Sequence, residues 1–280
     1  MNIRIFIKNL ENQILLDKDI QYLIFTKDNK IFHYLYNVLH IKLNDNIVLF
    51  NEKIGELSFI ISEINKKNIK LIFNKYLRKF EIKSNLHLLF PIIKSNYLIE
   101  MLTKAVQLNV SNFTPIITER TNIHVINSNR LMLNMIESLE QSNGINEPCL
   151  NKIIPFSKLL AEINKNQNII FFGNERSANN TTDYNQDYAI TKLKQIINEN
   201  NDLLTKEIYL IVGPEGGFSD FENEILNKMQ YSISIKLGNR ILKSETAMIT
   251  LIAKVESIFK SYEEKFSKTI TNSYNLLKQT

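Results

Sequence analysis

Residues 208–222 read Ile208-Tyr209-Leu210-Ile211-Val212-Gly213-Pro214-Glu215-Gly216-Gly217-Phe218-Ser219-Asp220-Phe221-Glu222. The stretch from Glu207 to Val212 has the apolar character of a buried strand. Gly216 and Gly217 follow, and adjacent glycines permit backbone angles closed to other residues. Ser219 with Glu222 three residues on has the form of a capping box, so a helix starts at Ser219. A strand, a glycine-rich turn and a helix start aim backbone N–H groups outward at the C-terminal edge of a sheet. Ligands bind there in open α/β folds. The glycine pair alone also fits a tight structural turn. No Gly-Lys-Ser/Thr follows, so this is not a Walker loop, and the dinucleotide fingerprint lacks its third glycine.

A second strand-to-helix junction lies close behind, at Leu237-Gly238-Asn239-Arg240-Ile241-Leu242-Lys243-Ser244-Glu245-Thr246-Ala247. A strand over 233–237 leads in and a long helix from about Glu245 to Tyr262 leads out. Ser244 reads as the N-cap. Arg240 and Lys243 are placed to hold a phosphate or a developing oxyanion. Glu245 suits the positive end of the helix dipole, and is also a candidate general base.

Working outward, residues 75–280 alternate strands with helices: strands over 86–90, 113–117, 169–172, 207–212 and 233–237, and helices over 95–108, 130–141 and 189–198. That alternation predicts a largely parallel sheet with helices on both faces. Asn109 is placed as a left-handed C-cap. The polar stretch 174–186 reads as a loop, and the residues from about Phe266 as a frayed tail. Residues 1–74 differ. They hold short strands at 4–7, 14–16, 22–25, 46–50, 55–61 and 69–73, with one helix near 32–39, which suggests a small β-barrel.

Composition narrows the function. With 44% hydrophobic and 22% charged residues the chain is an ordinary globular one. Cys149 stands alone, which rules out an intramolecular disulfide and any cysteine-based metal site and suggests a reducing compartment. No run of 18 apolar residues occurs and the N-terminus lacks a signal-peptide core, so no membrane association is expected. Residues 1–83 hold 14 Lys and Arg against 9 Asp and Glu, while the remainder holds 20 against 20. The basic excess therefore sits in the first third, which suits a polyanionic partner. His87 lies in an apolar strand and reads as a satisfied core residue.

GPEGGFSDFE (213–222) and LGNRILKSETA (237–247) together resemble the RsmE family of the SPOUT class. These are bacterial methyltransferases that act on N3 of uracil in small-subunit ribosomal RNA. The likeness extends to HYLYNVLHIKLNDNIVLFN (33–51), PIIKSNYLIEMLTKAVQLNVSNFTPIITER (91–120) and ESLEQS (137–142). Lys94, Lys104, Glu119 and Arg120 fall at the family's polar positions.

The resemblance implies an α/β fold with two domains: a PUA-like β-barrel that grips RNA over 1–74, and a SPOUT domain with a trefoil knot over 75–280. The knot's loops would be 172–176, 213–218 and 237–246. They would bind S-adenosylmethionine through Phe172, Gly173, Gly213, Pro214, Glu215, Gly216, Gly217, Leu237, Gly238, Ile241, Leu242, Ser244, Thr246 and Ala247. A cytoplasmic homodimer acting on small-subunit ribosomal RNA, or on the assembled subunit, is implied. Arg240, Lys243 and Glu245 become the catalytic candidates. Arg4, Lys66, Lys67, Lys94 and Arg120 become the RNA contacts. The lysines near 66–79 also fit a protected strand edge.

The chain departs from the family in three places. Asn37 and His40 stand where arginines are usual, no arginine follows the EQS segment, and Lys243 replaces arginine. Lysine keeps the charge but loses the bidentate fork. These departures bear on RNA affinity more than on the cofactor. Other readings remain open at this level: methylation at another RNA position such as a ribose 2′-oxygen, a non-catalytic RNA-binding or assembly factor, and a nucleotide-binding enzyme cradling phosphate on Gly216-Gly217.

Overall fold

The computed structural model of the chain describes residues 3–17, 20–81, 83–173, 186–199 and 206–277. The chain forms two compact units, one of Met1–Lys83 with Ile136–Glu147 and one of Ser84–Met135 with Pro148–Thr280. The first therefore runs past the expected limit at residue 74 and takes in a distant segment.

The first unit holds strands β1 (Ile3–Phe6), β2 (Leu15–Asp17), β3 (Ile20–Thr26), β4 (Asn46–Asn51), β5 (Gly55–Ile64) and β6 (Asn68–Arg78). They form one sheet in the order β1-β4-β5-β6-β3-β2, with β1 parallel to β4 and the other neighbours antiparallel. Alternation sets the faces. Ile47 and Leu49, Leu57, Phe59 and Ile61, and Ile69 and Leu71 are all buried in one core with Leu10 and Leu35. The helix expected near 32–39 starts earlier, as α1 (Lys30–His33), and widens into a π-helical turn over Tyr34–Val38. Asn29 caps it, its side chain accepting from the Ile31 N–H. At Gly55, with φ +80°, a Cβ would collide with the Arg78 carbonyl, so only glycine lets β5 and β6 approach there.

The second unit holds β7 (Leu86–Pro91), α2 (Ser95–Gln107), β8 (Asn112–Ile117), α3 (Ser128–Gln141, whose last turns belong to the first unit), β9 (Cys149–Leu150), β10 (Ile154–Pro155), α4 (Phe156–Lys165), β11 (Ile169–Gly173), α5 (Gln186–Glu199), β12 (Ile208–Ile211), α6 (Asp220–Lys228), β13 (Ser232–Ile235) and α7 (Ser244–Leu277). The sheet order is β10-β8-β7-β12-β11-β13, with β9 beside β8, and every pairing is parallel. This is the predicted architecture. All C-terminal strand ends consequently face one way.

Two cores sandwich the sheet. Phe156, Leu159, Leu160 and Ile163 of α4 pack with Ile170, Phe172, Ile211 and Phe218. On α7, Met248, Leu251, Ile252 and Val255 are buried at the 3.6-residue period, as are Leu98, Met101, Leu102 and Ala105 on α2. Asn109 takes the left-handed conformation expected of it, at φ 59°.

Several expectations change. α4 and the short strands β9 and β10 are additional. Helical backbone on α7 continues to Leu277 instead of fraying from Phe266; no Gly or Pro interrupts 244–277. His87 is half-buried at the N-terminal sheet edge, not in the core. Its Nε2 meets Glu207 Oε2 at 2.5 Å and its ring lies 4.7 Å from that of Tyr209. The expected loop 174–186 lies, up to residue 185, outside the described residues.

Candidate functional site

The loops after β12 and β13 meet at the C-terminal edge of the parallel sheet. Gly213, Pro214, Gly216, Gly217, Gly173, Leu237, Ser244 and Ala247 surround one cleft there, with Arg120, Val212, Phe218 and Asn223 completing its wall. Its space, counted with the open mouth, is about 590 Å³.

Each wall follows from local sequence. Ser219 and Glu222 form the predicted capping box. Ser219 Oγ accepts from Glu222 N at 3.1 Å, and Glu222 Oε2 accepts from Ser219 N at 2.8 Å. Glu222 is buried and its other oxygen accepts from Glu119 N at 2.9 Å. One carboxylate thus joins the start of α6 to the turn after β8. That turn is closed by Thr118 and Thr121, whose hydroxyls lie 2.9 Å apart. Arg120 then reaches back, its Nη1 donating to the Gly216 carbonyl at 2.7 Å. Gly217 N donates to Pro214 O at 2.8 Å, and Gly217 takes φ +67°. The glycine turn is therefore held from both sides.

The second loop is held at its two ends. Lys254 Nζ donates to the Lys236 carbonyl at 2.7 Å and Ser244 Oγ donates to the Gly213 carbonyl at 3.0 Å. Ser244, expected as the N-cap, is the first residue of α7, and its hydroxyl proton goes to the neighbouring loop. Between the clamps Gly238, Asn239, Arg240 and Ile241 are exposed, Ile241 at 85%. Lys243 is exposed, with its ammonium over the Tyr97 ring at 5.2 Å.

Of the expected cofactor residues, Gly173, Gly213, Pro214, Gly216, Gly217, Leu237, Ser244 and Ala247 are brought together. Phe172 lies behind the wall, in the core. Glu215, Gly238, Ile241 and Thr246 are exposed nearby, and Leu242 is half-buried. Of the first expected loop, 174–176 lies outside the described residues. Val212, Phe218 and Asn223 come in unforeseen, and so does Tyr97, which meets Lys243 on the loop that leads to Ser244. The first three flank the glycine motif and were within reach of its reading; Tyr97 carried no local signal.

The expected RNA contacts divide. Lys94, at the start of α2, and Arg120 are exposed in the second unit, and Lys66 and Lys67 are exposed at the β5–β6 turn of the first. Arg4 is instead consumed by its own unit. Nε meets Glu56 Oε1 at 2.5 Å, Nη1 donates to the carbonyls of Leu139 and Glu140 at 3.0 and 3.1 Å, and Nη2 donates to Gly144 O at 2.5 Å. Its guanidinium also lies 3.6 Å over Phe50. It satisfies carbonyls at the end of α3, where a helix leaves them unpaired and negative.

The walls suit a small, partly apolar ligand that approaches the main chain. A Cβ placed on Gly238 would meet nothing within 4 Å, and likewise on Gly217, so space stands open over both turns. Leu237, Val212, Phe218 and Ala247 supply apolar surface for a flat ring. Both features fit the adenosine and chain of S-adenosylmethionine.

Known proteins bear on the same residues. Residues 80–256 match the RNA methyltransferase domain family and residues 28–74 the RNA methyltransferase PUA domain family. The Ribosomal RNA small subunit methyltransferase E of Rickettsia conorii is 34% identical over 232 residues, 83% of this chain and 88% of that protein. The protein of the same name from Buchnera aphidicola of Schizaphis graminum is 30% identical over 242 residues, 81% and 87%. Among solved structures, that of the Neisseria gonorrhoeae methyltransferase E bound to S-adenosylmethionine superposes with a TM-score of 0.70 at 22% identity, covering 92% of this chain and 98% of that one. The fold is thus a SPOUT α/β domain joined to an N-terminal PUA-like one. With its methyltransferase domain matched over more than half its length, the chain belongs to the ribosomal RNA small subunit methyltransferase E family.

Proposed function

We propose that this protein transfers a methyl group from S-adenosylmethionine to N3 of a uridine in small-subunit ribosomal RNA. The observation that carries the reading is the Ser244–Gly213 hydrogen bond, which joins the two family loops into one cleft at the C-terminal sheet edge. The cofactor, when bound, supplies an electrophilic methyl group on a sulfonium.

The chain's own residues do the rest. The Gly213–Gly217 turn and Leu237 bind through main chain and apolar surface. Phe218 and Val212 exclude water from the floor of the cleft. Uracil N3 carries a proton at neutral pH, and charge builds on the ring as that proton leaves. Lys243 and Arg240, exposed on the loop that leads to Ser244 of the cleft wall, stabilise that charge or hold a flanking phosphate. Glu245, half-buried in the first turn of α7, is the candidate base. The target base leaves its stack to enter.

RNA is gripped by Lys94 and Arg120 in the second unit and by Lys66 and Lys67 in the first. A homodimer in the cytoplasm, with the trefoil-knotted path expected for the class, completes the proposal. Among the described residues no helix is long and apolar enough to cross a membrane.

The test is methyl transfer from labelled S-adenosylmethionine to small subunits lacking the modification, and separately to naked RNA, with nucleoside analysis. Labelled 3-methyluridine supports the proposal. Label on a ribose or on another base overturns the assignment of N3. Cofactor binding failing while RNA binding persists would leave a non-catalytic RNA-binding role.

A further inference from the structure

Two basic residues sit on the exposed loop before α7, and they are held differently. Arg240 lies in the middle of the loop, exposed, between the clamps at Lys236 and Ser244. Lys243 lies immediately before Ser244. Its backbone is anchored, because its carbonyl accepts from Ala247 N at 2.8 Å and the next residue is tied to Gly213. Its side chain would still sweep a wide arc, since lysine is a flexible four-carbon stem with a point charge. The structure places that charge over the face of Tyr97, 5.2 Å from the ring centroid. Tyr97 stands in the first turn of α2, 39% exposed, three residues beyond Lys94.

A cation over an aromatic face is attracted by the ring quadrupole. The contact fixes direction as well as position, which is what lysine lacks and an arginine fork would supply by itself. α2 is itself rigidly seated, with Leu98, Met101 and Leu102 buried beside Tyr97 on the helix. The ring is therefore a fixed platform, and the anchored backbone of Lys243 leaves only the side-chain torsions for it to settle.

We infer that Tyr97 is a positioning residue for the methyl transfer: its ring holds the ammonium of Lys243, the residue before Ser244 of the cleft wall, ready for the negative charge that develops on the base. This rests on the proposed methyltransferase reading. It assigns Tyr97 a role through Lys243, and it separates Lys243, a preorganised charge, from Arg240, an arm free to follow the RNA. Preorganised charge acts mainly on the chemical step, because it needs no rearrangement when charge appears. A residue that only bound RNA would act mainly on KM.

The experiment compares full-length wild type with Tyr97→Phe, Tyr97→Leu, Lys243→Arg, Lys243→Met and the double variant Tyr97→Leu/Lys243→Met, in steady-state methylation of small subunits. Cofactor affinity is followed by calorimetry and folding by thermal melting. Tyr97→Phe is expected to retain kcat, since the ring face is kept. Tyr97→Leu is expected to lower kcat by roughly three- to tenfold, the worth of a partly exposed cation–π contact, with cofactor affinity and melting temperature unchanged. Lys243→Met is expected to lose more, and the double variant no more than Lys243→Met alone.

Equal loss in Tyr97→Phe and Tyr97→Leu would overturn the inference, as would additive losses in the double variant, a change confined to KM, or full activity in Tyr97→Leu. If the melt shows that Tyr97→Leu misfolds, Tyr97→Gln, a helix former that also lacks the ring, takes its place with the same expected loss; a further comparison uses the Lys243→Arg background. Arginine carries its own fork, so Tyr97→Leu in that background should cost less than in wild type; an undiminished cost would sink the idea. Wild type that binds cofactor but leaves small subunits unlabelled would count against the methyltransferase reading itself, a different outcome from active wild type with an indifferent Tyr97.

Discussion

The Ser244 hydroxyl donates to the Gly213 carbonyl across 3.0 Å, and with that one bond the start of α7 is fastened to the end of the β12 loop. Ser244 is buried, and both partners border the cleft. Replacing Ser244 with Ala removes the donor and leaves a carbonyl short of its partner in a confined place. The expected cost is about 1 kcal/mol of stability, and a several-fold weaker cofactor affinity because the two loops lose their register. Calorimetric titration of S-adenosylmethionine into wild type and Ser244→Ala measures the second effect. Equal affinities would show that the loops hold their places without this bond.

Gly238 and Gly213 offer a sharper distinction between space needed by the fold and space needed by a ligand. A Cβ on Gly213 would lie 3.3 Å from Phe218 N, so Gly213→Ala presses on the protein's own main chain. A Cβ on Gly238 would meet nothing within 4 Å, and its backbone needs no left-handed φ. Gly238→Ala should therefore melt within about 0.5 kcal/mol of wild type, as substitutions away from packed features do. If the cofactor fills that space, the same variant should bind it at least tenfold more weakly. Unchanged binding would place the ligand elsewhere.

Both loops are legible in the sequence because their work is done by main chain, and main-chain work leaves glycines and a capping box as traces. The alternation of strands and helices is legible for the same reason that any strong period is. By contrast β9 and β10 have two residues each, too few to show a period. Helix α4 does leave a trace, since Phe156, Leu159, Leu160 and Ile163 follow a helical period directly after Pro155. Arg4 shows the deeper limit. Its charge suggests a phosphate, yet its partners are carbonyls of Leu139, Glu140 and Gly144, far along the chain. No local pattern announces that pairing, nor the meeting of Tyr97 with Lys243.

On the edge strand β13 the hydroxyls of Ser232 and Ser234 are buried, and among the described residues neither finds a hydrogen-bond partner. Each is a polar group removed from water without compensation. Ser234→Ala should be neutral or stabilise by up to about 1 kcal/mol. Urea unfolding followed by circular dichroism decides it: a loss of stability beyond about 1 kcal/mol would mean that the hydroxyl has a bound water or other partner.

In the first unit Glu56 lies between two guanidiniums, with Oε1 at 2.5 Å from Arg4 Nε and Oε2 at 2.6 Å from Arg78 Nε. Burial pushes its carboxyl up, but the hydrogen bonds from Arg78 and Arg4 outweigh burial and hold it below the ordinary 4.5. A carboxylate with a depressed folded-state value contributes stability above its unfolded value and loses it as pH falls through the folded one. Glu56→Gln removes the carboxylate that Arg4 and Arg78 share, and although Arg78 keeps its pair with Glu81 at 2.8 Å, the loss is about 3 kcal/mol at neutral pH. The gap between wild type and variant should hold from pH 8 to about 5 and narrow below 4.5. Glu140 behaves oppositely. Burial raises its carboxyl, partly offset by the hydrogen bond it accepts from Phe6 N and the charge of Arg4. Its ionised form therefore costs stability above the ordinary value, and that cost vanishes in acid. Glu140→Gln keeps an acceptor for Phe6 N, so it should stabilise at pH 7, with the gain shrinking as pH falls toward 4.5 and gone below it. Melting both variants from pH 8 to 3 should show opposite signs converging on wild type in acid. Parallel curves would mean that these carboxyls titrate alike folded and unfolded.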